Sequence, residues 1–165
     1  MYILILYMCA FVLLDAQTYL CGLYVTCFVV GTMNQFFFWI NEKKEKELIT
    51  CPLDGTILPG VTRDSILQIA RKWNEFKVTE RHFTMPEVVR ALNEGRLLES
   101  FGVGTAAIIS PVFLINYKGK DYKIPLDSQN PKENAGPLAK KLFKAITDIQ
   151  YGKVPHPWSV TVPEK

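Results

Sequence analysis

Two glycine-bearing segments carry the residue types that hold an anion. Gly102-Val103-Gly104-Thr105 lies between two apolar, extended runs. Glycines let backbone N–H groups approach a charged ligand closely, and the threonine adds a hydroxyl donor. Pro59-Gly60-Val61-Thr62-Arg63 turns into a predicted helix, where the first N–H groups lack intrahelical acceptors and the dipole favours negative charge. On local grounds each segment reads first as a tight turn or a normal helix start, and second as a phosphate cradle. Both could serve one phosphate. Neither is a Walker loop, since no Gly-Lys-Ser/Thr follows, and the third glycine of the dinucleotide fingerprint is missing.

The remaining chemistry-bearing residues are isolated. His82 has no local Ser, Cys or carboxylate to form a catalytic set, and His156 lies between two prolines in the tail. Asp54-Gly55 reads as a turn, Asp148 as a solvent-facing helix residue, and Trp39, Trp73 and Trp158 as packing residues. Cys9, Cys21, Cys27 and Cys51 form no Cys-x-x-Cys and have no histidine nearby, so no metal site is expected. Among 165 residues, 19 basic and 16 acidic side chains leave a formal charge of +3. No basic stripe is interleaved with aromatics, and no nucleic-acid partner is expected. At 48% hydrophobic and 21% charged residues, the composition is that of a globular protein with a core.

The elements that must position these segments read as follows. Residues 1–28 form an atypical hydrophobic segment, and the first 40 residues carry a single formal charge, Asp15. This stretch is read as a buried strand region or a non-native start rather than a signal peptide or membrane anchor. From Gly31 the pattern is regular. GTMNQFFFWI predicts an aromatic strand, the Lys/Glu run 42–47 a solvated hairpin turn, and LIT a return strand. A helix is expected over roughly 63–73, capped by Thr62 and stopped at Asn74. A strand over 77–83 follows, then a helix over 85–93 behind a Thr84/Glu87 capping box with Pro86 in its first turn. Residues 97–101 read as strand, 102–105 as a flexible turn, and 106–117 as extended. LDSQNPKENAG is a surface loop. The last helix, 137–150, has Leu138, Leu142, Ile146 and Ile149 along one face, and a short strand is expected at the end of the tail. Alternating strands and helices place residues 29–165 in an α/β (α+β) class.

Five segments then resemble one family. Gly31-Thr32-Met33-Asn34 before an aromatic strand, Pro52-Leu53-Asp54-Gly55 running to Pro59-Gly60-Val61-Thr62-Arg63, Trp73-Asn74-Glu75-Phe76-Lys77-Val78, Phe101-Gly102-Val103-Gly104-Thr105-Ala106, and Ile149-Gln150-Tyr151-Gly152 resemble, in order and spacing, the large carboxyl-terminal domain of eukaryotic branched-chain amino acid aminotransferases. The resemblance covers roughly residues 30–165. It implies a truncated fold-type IV domain, pyridoxal 5′-phosphate as cofactor, and amino-group transfer between leucine, isoleucine or valine and 2-oxoglutarate. It also implies a homodimer and a mitochondrial or cytosolic location. By carry-over, Thr32 lies near the cofactor ring, and Val61, Thr62 and Thr105 hold its phosphate. Gly104, Thr105 and Ala106 bound the substrate pocket and receive the substrate carboxylate.

The departures from the pattern are specific. The family places its Schiff-base lysine a few dozen residues before Gly31, whereas the first lysine here is Lys43, so no residue of this sequence takes that catalytic role. The family's glutamate for the pyridine nitrogen falls at Val29, and its redox thiols fall at Ala107 and Ser110. The resemblance therefore implies an enzyme family but a chain that does not transaminate alone. Two alternatives accompany this reading: a non-catalytic domain that binds the phosphate or pairs with a complete subunit, and a membrane-anchored derivative.

Overall fold

The computed structural model describes residues 33–127, 134–160 and 162, together with the backbone of residues 11–13 and 29–30. Nine strands and three helices are placed among them: β1 Phe11–Leu13, β2 Val29–Val30, β3 Met33–Ile40, β4 Lys46–Thr50, α1 Val61–Trp73, β5 Lys77–Glu80, α2 Met85–Asn93, β6 Leu97–Gly104, β7 Ile108–Pro111, β8 Leu114–Tyr117, β9 Lys120–Lys123 and α3 Pro137–Gln150. The α/β reading holds. The main sheet runs β5-β4-β3-β6-β7, and β1, β8 and β9 form a small second sheet. β4 and β5 are parallel and joined through α1, and the other main-sheet pairs are antiparallel. β2 pairs with β3 at Met33 and Asn34, on the flank where β4, paired from Phe36 to Ile40, has not yet begun.

β3 is buried on both faces, which explains its unbroken run of large side chains rather than an alternating pattern. Phe37 and Trp39 pack with Phe83, Met85 and Val88 under α2. Phe36 and Phe38 pack with Ile66, Leu67, Leu142 and Ile146 under α1 and α3. Phe36 stacks on Phe101 of β6 at 5.6 Å, and Phe37 meets Phe83 edge-on at 5.4 Å, geometries that aromatic quadrupoles favour. The hairpin turn falls at the charged run as expected, with Asn41 Oδ1 accepting from the N–H groups of Lys43 and Glu45.

The helices follow local signals with two corrections. α1 begins at Val61, not Arg63, and its N-cap is Gly60, with no side-chain capping bond. Thr62 lies inside the first turn and is not the cap. Asn74 ends α1 in the left-handed conformation (φ 52°), its N–H donating to Ala70 O. α2 has the expected Thr84 cap, with Glu87 N–H donating to Thr84 Oγ1 at 3.4 Å. The reciprocal half of the capping box is absent, because Glu87 instead takes Arg81 as its partner at 2.5 Å. Thr84→Ala should lower stability by about 1 kcal/mol, measured by urea unfolding. Little or no change would show that the Arg81 pair holds the helix start by itself.

Two further expectations are corrected. Gly102 and Gly104 belong to β6, and the turn begins only at Thr105. The room above both glycines is filled by Met33, whose side chain a Cβ at Gly102 or Gly104 would meet at 3.4 and 3.2 Å. The strand from Lys77 stops at Glu80 rather than Phe83, the described part of the tail carries a bridge between His156 and Ser159, and the end of the expected tail strand lies outside the described residues. Asp148 is only partly exposed and pairs with Lys144 and Lys153. Among the described residues no helix is long and apolar enough to cross a membrane.

Candidate functional site

The two anion-binding segments come together at the Met33–Asn34 end of β3. On one flank, Asn34 lies in register with Val103 and Gln35 with Gly102, so the end of β6 and the Thr105–Ala107 turn continue from this edge. On the other side, the Asn34 side chain reaches the loop before α1, its Nδ2 donating to Leu58 O at 3.0 Å. The start of α1 and the Thr105–Ala107 turn therefore border one corner of the molecule. Val61 is 82% exposed, so none of the described residues covers it at the helix start. Thr105 and Ala106 are exposed, and Thr62 and Gly104 are half-buried.

The helix start suits an anion for two reasons. The first α-helical bond is Asp64 N–H to Gly60 O at 3.0 Å, which leaves the N–H groups of residues 61–63 without intrahelical acceptors. Gly60 also brings no capping side chain into that space. Thr62 Oγ1 can add a hydroxyl to the same array. Opposing this, Asp64 places a negative charge in the first turn. It is exposed and turned aside to Gln68, which donates to it at 2.6 Å.

The loop that delivers α1 is tied down along its length. Asp54 Oδ1 accepts from Thr56 Oγ1 at 2.6 Å and from Thr56 N–H at 2.9 Å, an Asx turn. The Thr56 hydroxyl and N–H, aided by His82, hold the Asp54 carboxyl below the usual range. The expectation that His82 lacks a carboxylate is corrected, because the fold brings Asp54 Oδ2 to 3.4 Å from its Nε2. Both residues are exposed, and the pair anchors Asp54 to the segment after β5.

Arg63 is buried. Its Nη2 donates to Cys51 O at 2.7 Å and to Glu80 Oε2 at 2.6 Å. This closes the loop onto the helix it feeds. Sequence reasoning gave Arg63 no role beyond the motif, and it also missed Asn34. An asparagine inside an otherwise aromatic strand was the available signal for the second.

The other expected site residues are placed as follows. Thr32 lies outside the described residues. Val29 lies across from Asn34 in the β2–β3 pairing. Ala107 ends the turn, and Ser110 is buried on β7 opposite Gly102, so neither thiol of the family's pair exists here. His156 serves locally, its Nδ1 accepting from Trp158 N–H at 3.3 Å. Trp39 and Trp73 pack as expected, Trp39 Nε1 donating to the buried Glu47 at 2.8 Å. No group of His, Cys, Asp and Glu suited to a metal occurs among the described residues.

With this geometry in place, the comparisons converge. Residues 15–112, more than half of the chain, match the family model described as amino-transferase class IV. A branched-chain-amino-acid aminotransferase of Dictyostelium discoideum is 58% identical over 134 residues, covering 81% of this chain and 35% of the relative. A mitochondrial one of Schizosaccharomyces pombe is 57% identical over 135 residues, covering 79% and 31%. The branched-chain amino acid aminotransferase structure from Escherichia coli superposes with a TM-score of 0.53 at 25% identity, over 77% of this chain and 36% of that one. The chain thus spans about a third of the length of the relatives it matches.

Proposed function

The chain belongs to the class IV aminotransferase family, and from that premise we propose that it is the phosphate-binding part of a branched-chain amino acid aminotransferase. Transamination belongs to the complete protein. The supporting observation is the shared corner, where an uncapped helix start and the Thr105 turn meet at one end of β3. That donor set fits the phosphate of pyridoxal 5′-phosphate: N–H groups of Val61 and Thr62 along the helix dipole, and hydroxyls of Thr62 and Thr105. When bound, the cofactor supplies the electron sink that lets an amino group leave an α-carbon. The chain's own contribution is binding and orientation. The helix start would hold the dianion, and the family resemblance assigns Thr32 to the ring. Gly104, Thr105 and Ala106 line the substrate side, where backbone N–H groups can receive a carboxylate. Leucine, isoleucine and valine with their 2-oxo acids are the proposed substrates. A homodimer is the proposed assembly, and mitochondrion or cytosol the proposed location.

No residue of these 165 matches the family's cofactor-bearing lysine, so the chain alone should bind through the phosphate without covalent attachment. Spectroscopic titration with pyridoxal 5′-phosphate, set against pyridoxal, tests this. Saturable binding that requires the phosphate, with no single lysine trapped by borohydride, is the expected result. Indistinguishable behaviour of the two ligands would remove the phosphate site. A single trapped lysine would instead assign the chain an anchor of its own. In the complete protein, Thr105→Ala should weaken cofactor retention by about 1–3 kcal/mol, the range for losing one hydrogen bond to a charged group. Unchanged affinity in a dialysis assay would take Thr105 out of the phosphate set.

A further inference from the structure

We propose that Asn34 is a positioning residue that fixes the start of α1 relative to the Thr105 turn, an inference that rests on reading this corner as the phosphate site. Asn34 is 5% exposed. Its backbone belongs to the sheet, in register with Val103, one residue before Gly104. Its side chain belongs to the other half of the corner. Nδ2 donates to Leu58 O at 3.0 Å, and the same carbonyl accepts from Gly60 N–H at 2.9 Å. Gly60 O in turn accepts from Asp64 N–H at 3.0 Å, the first bond of the helix. One amide thus links the strand to the residue from which the helix propagates.

The fit is close on the acceptor side as well. A Cβ on Gly60 would stand 2.6 Å from Asn34 Oδ1, so the Asn34 amide lies directly against the Gly60 α-carbon. Gly60 has φ −68°, a value open to any residue. Its need for glycine is therefore steric and set by Asn34, not conformational. The other ties of this loop act elsewhere: Asp54 with Thr56 and His82 at its tip, and Arg63 on Cys51 at its root. Asn34 acts on residues 58–60, immediately before the donors. Rotation of this segment would re-aim the N–H groups of Val61 and Thr62 while leaving the helix intact, and oriented donors lose their value over displacements of about 1 Å.

Amide hydrogen exchange on the full 165-residue protein, with and without inorganic phosphate, tests the assignment in Asn34→Ala and, from the loop side, Gly60→Ala. Each variant should speed exchange at Gly60 and Asp64 by about tenfold, the scale of one lost buried hydrogen bond, with α3 unchanged. Each should also weaken pyridoxal 5′-phosphate binding by a similar factor while leaving pyridoxal binding alone. Unchanged exchange at Gly60 and Asp64 would overturn the proposal, as would acceleration spread evenly over α1, α2 and α3, which marks a merely structural role. If phosphate protects nothing in the unsubstituted protein, the phosphate-site reading fails. The exchange rates at Gly60 and Asp64 still decide whether Asn34 positions the helix.

Discussion

Glu99→Ala should lower the unfolding free energy by about 3 kcal/mol, one of the two largest effects expected of a single polar substitution outside the aromatic core. Glu99 is a buried strand residue of β6, 6% exposed, yet it serves a helix. Its Oε1 accepts from Leu138 N–H at 2.8 Å and its Oε2 from Ala139 N–H at 3.0 Å. These are orphan donors at the start of α3, whose own N-cap, Gly136, supplies no side chain. A Cβ at Gly136 would collide with the Glu99 carboxyl, so the glycine is what admits it. Truncation removes two hydrogen bonds and leaves two helix donors unpaired against the sheet. Urea unfolding reads the loss. A change under about 1 kcal/mol would show that water replaces the carboxyl at little cost.

Glu99 also gives the protein a pH dependence of unusual sign. Burial pushes its carboxyl above the ordinary value, the hydrogen bonds from Leu138 and Ala139 pull it back only in part, and nearby Asp127 adds to the rise. The folded state therefore holds this proton more tightly than the unfolded state. Its contribution to stability is full below the unfolded pKa and declines as pH rises through the folded one. Glu99→Gln should flatten that decline on the alkaline side of the ordinary glutamate range.

Arg63→Met should cost a similar amount, about 3 kcal/mol. Arg63 is 2% exposed and Glu80 28% exposed. Breaking a fully buried pair costs about 3–5 kcal/mol. The lower end applies here, because Glu80 reaches solvent and keeps Arg71 at 2.6 Å. Loss of the Nη2 bond to Cys51 O also removes a tie at the root of the loop.

The accompanying pH signature opposes that of Glu99. Burial alone would raise the Glu80 carboxyl, but hydrogen bonds and charge from Arg71 and Arg63 outweigh it and hold the group below its ordinary value. Its stabilisation is present above the unfolded pKa and is lost as pH falls through the folded one. Thermal unfolding of Arg63→Met from neutral to acid pH should show a shallower acid slope than the unsubstituted protein. An unchanged slope would assign the effect to Arg71 alone.

How much of this was legible in the sequence depended on the range of the interactions. α2 and α3 were readable to the residue because their signals are local: Thr84 with Pro86, Pro137 after Gly136, and apolar side chains three and four apart. The start of α1 was displaced because its cap is a glycine with no side-chain acceptor, while Thr62 is a good cap in the wrong place. Both halves of the candidate site were visible as separate segments. Their meeting was not, since it depends on the register of β3 against β6 and on one amide spanning from Asn34 to Leu58. Glu99 was invisible for the same reason. Nothing in LLESFGVG announces that its glutamate will cap a helix 39 residues later. His82 lacked a carboxylate in the sequence only because Asp54 arrives through the fold.

The burial of β3 on both faces has a consequence for how the chain is made. Phe36, Phe37, Phe38 and Trp39 leave the ribosome consecutively. β4 follows at once, but the other flank is closed only by β6, some 60 residues later, as the Ser100 to Phe36 contact across 64 positions records. At roughly 5–20 residues per second, that wait lasts roughly 3–12 s. Throughout it, an aromatic strand has an unpaired edge and neither α3 nor β6 to cover it. Such a segment matches the description of a client for chaperones that bind short apolar extended stretches, and of a nucleus for aggregation when they are scarce. The residues that give the finished domain its firmest centre are thus the ones that make its synthesis most dependent on assistance.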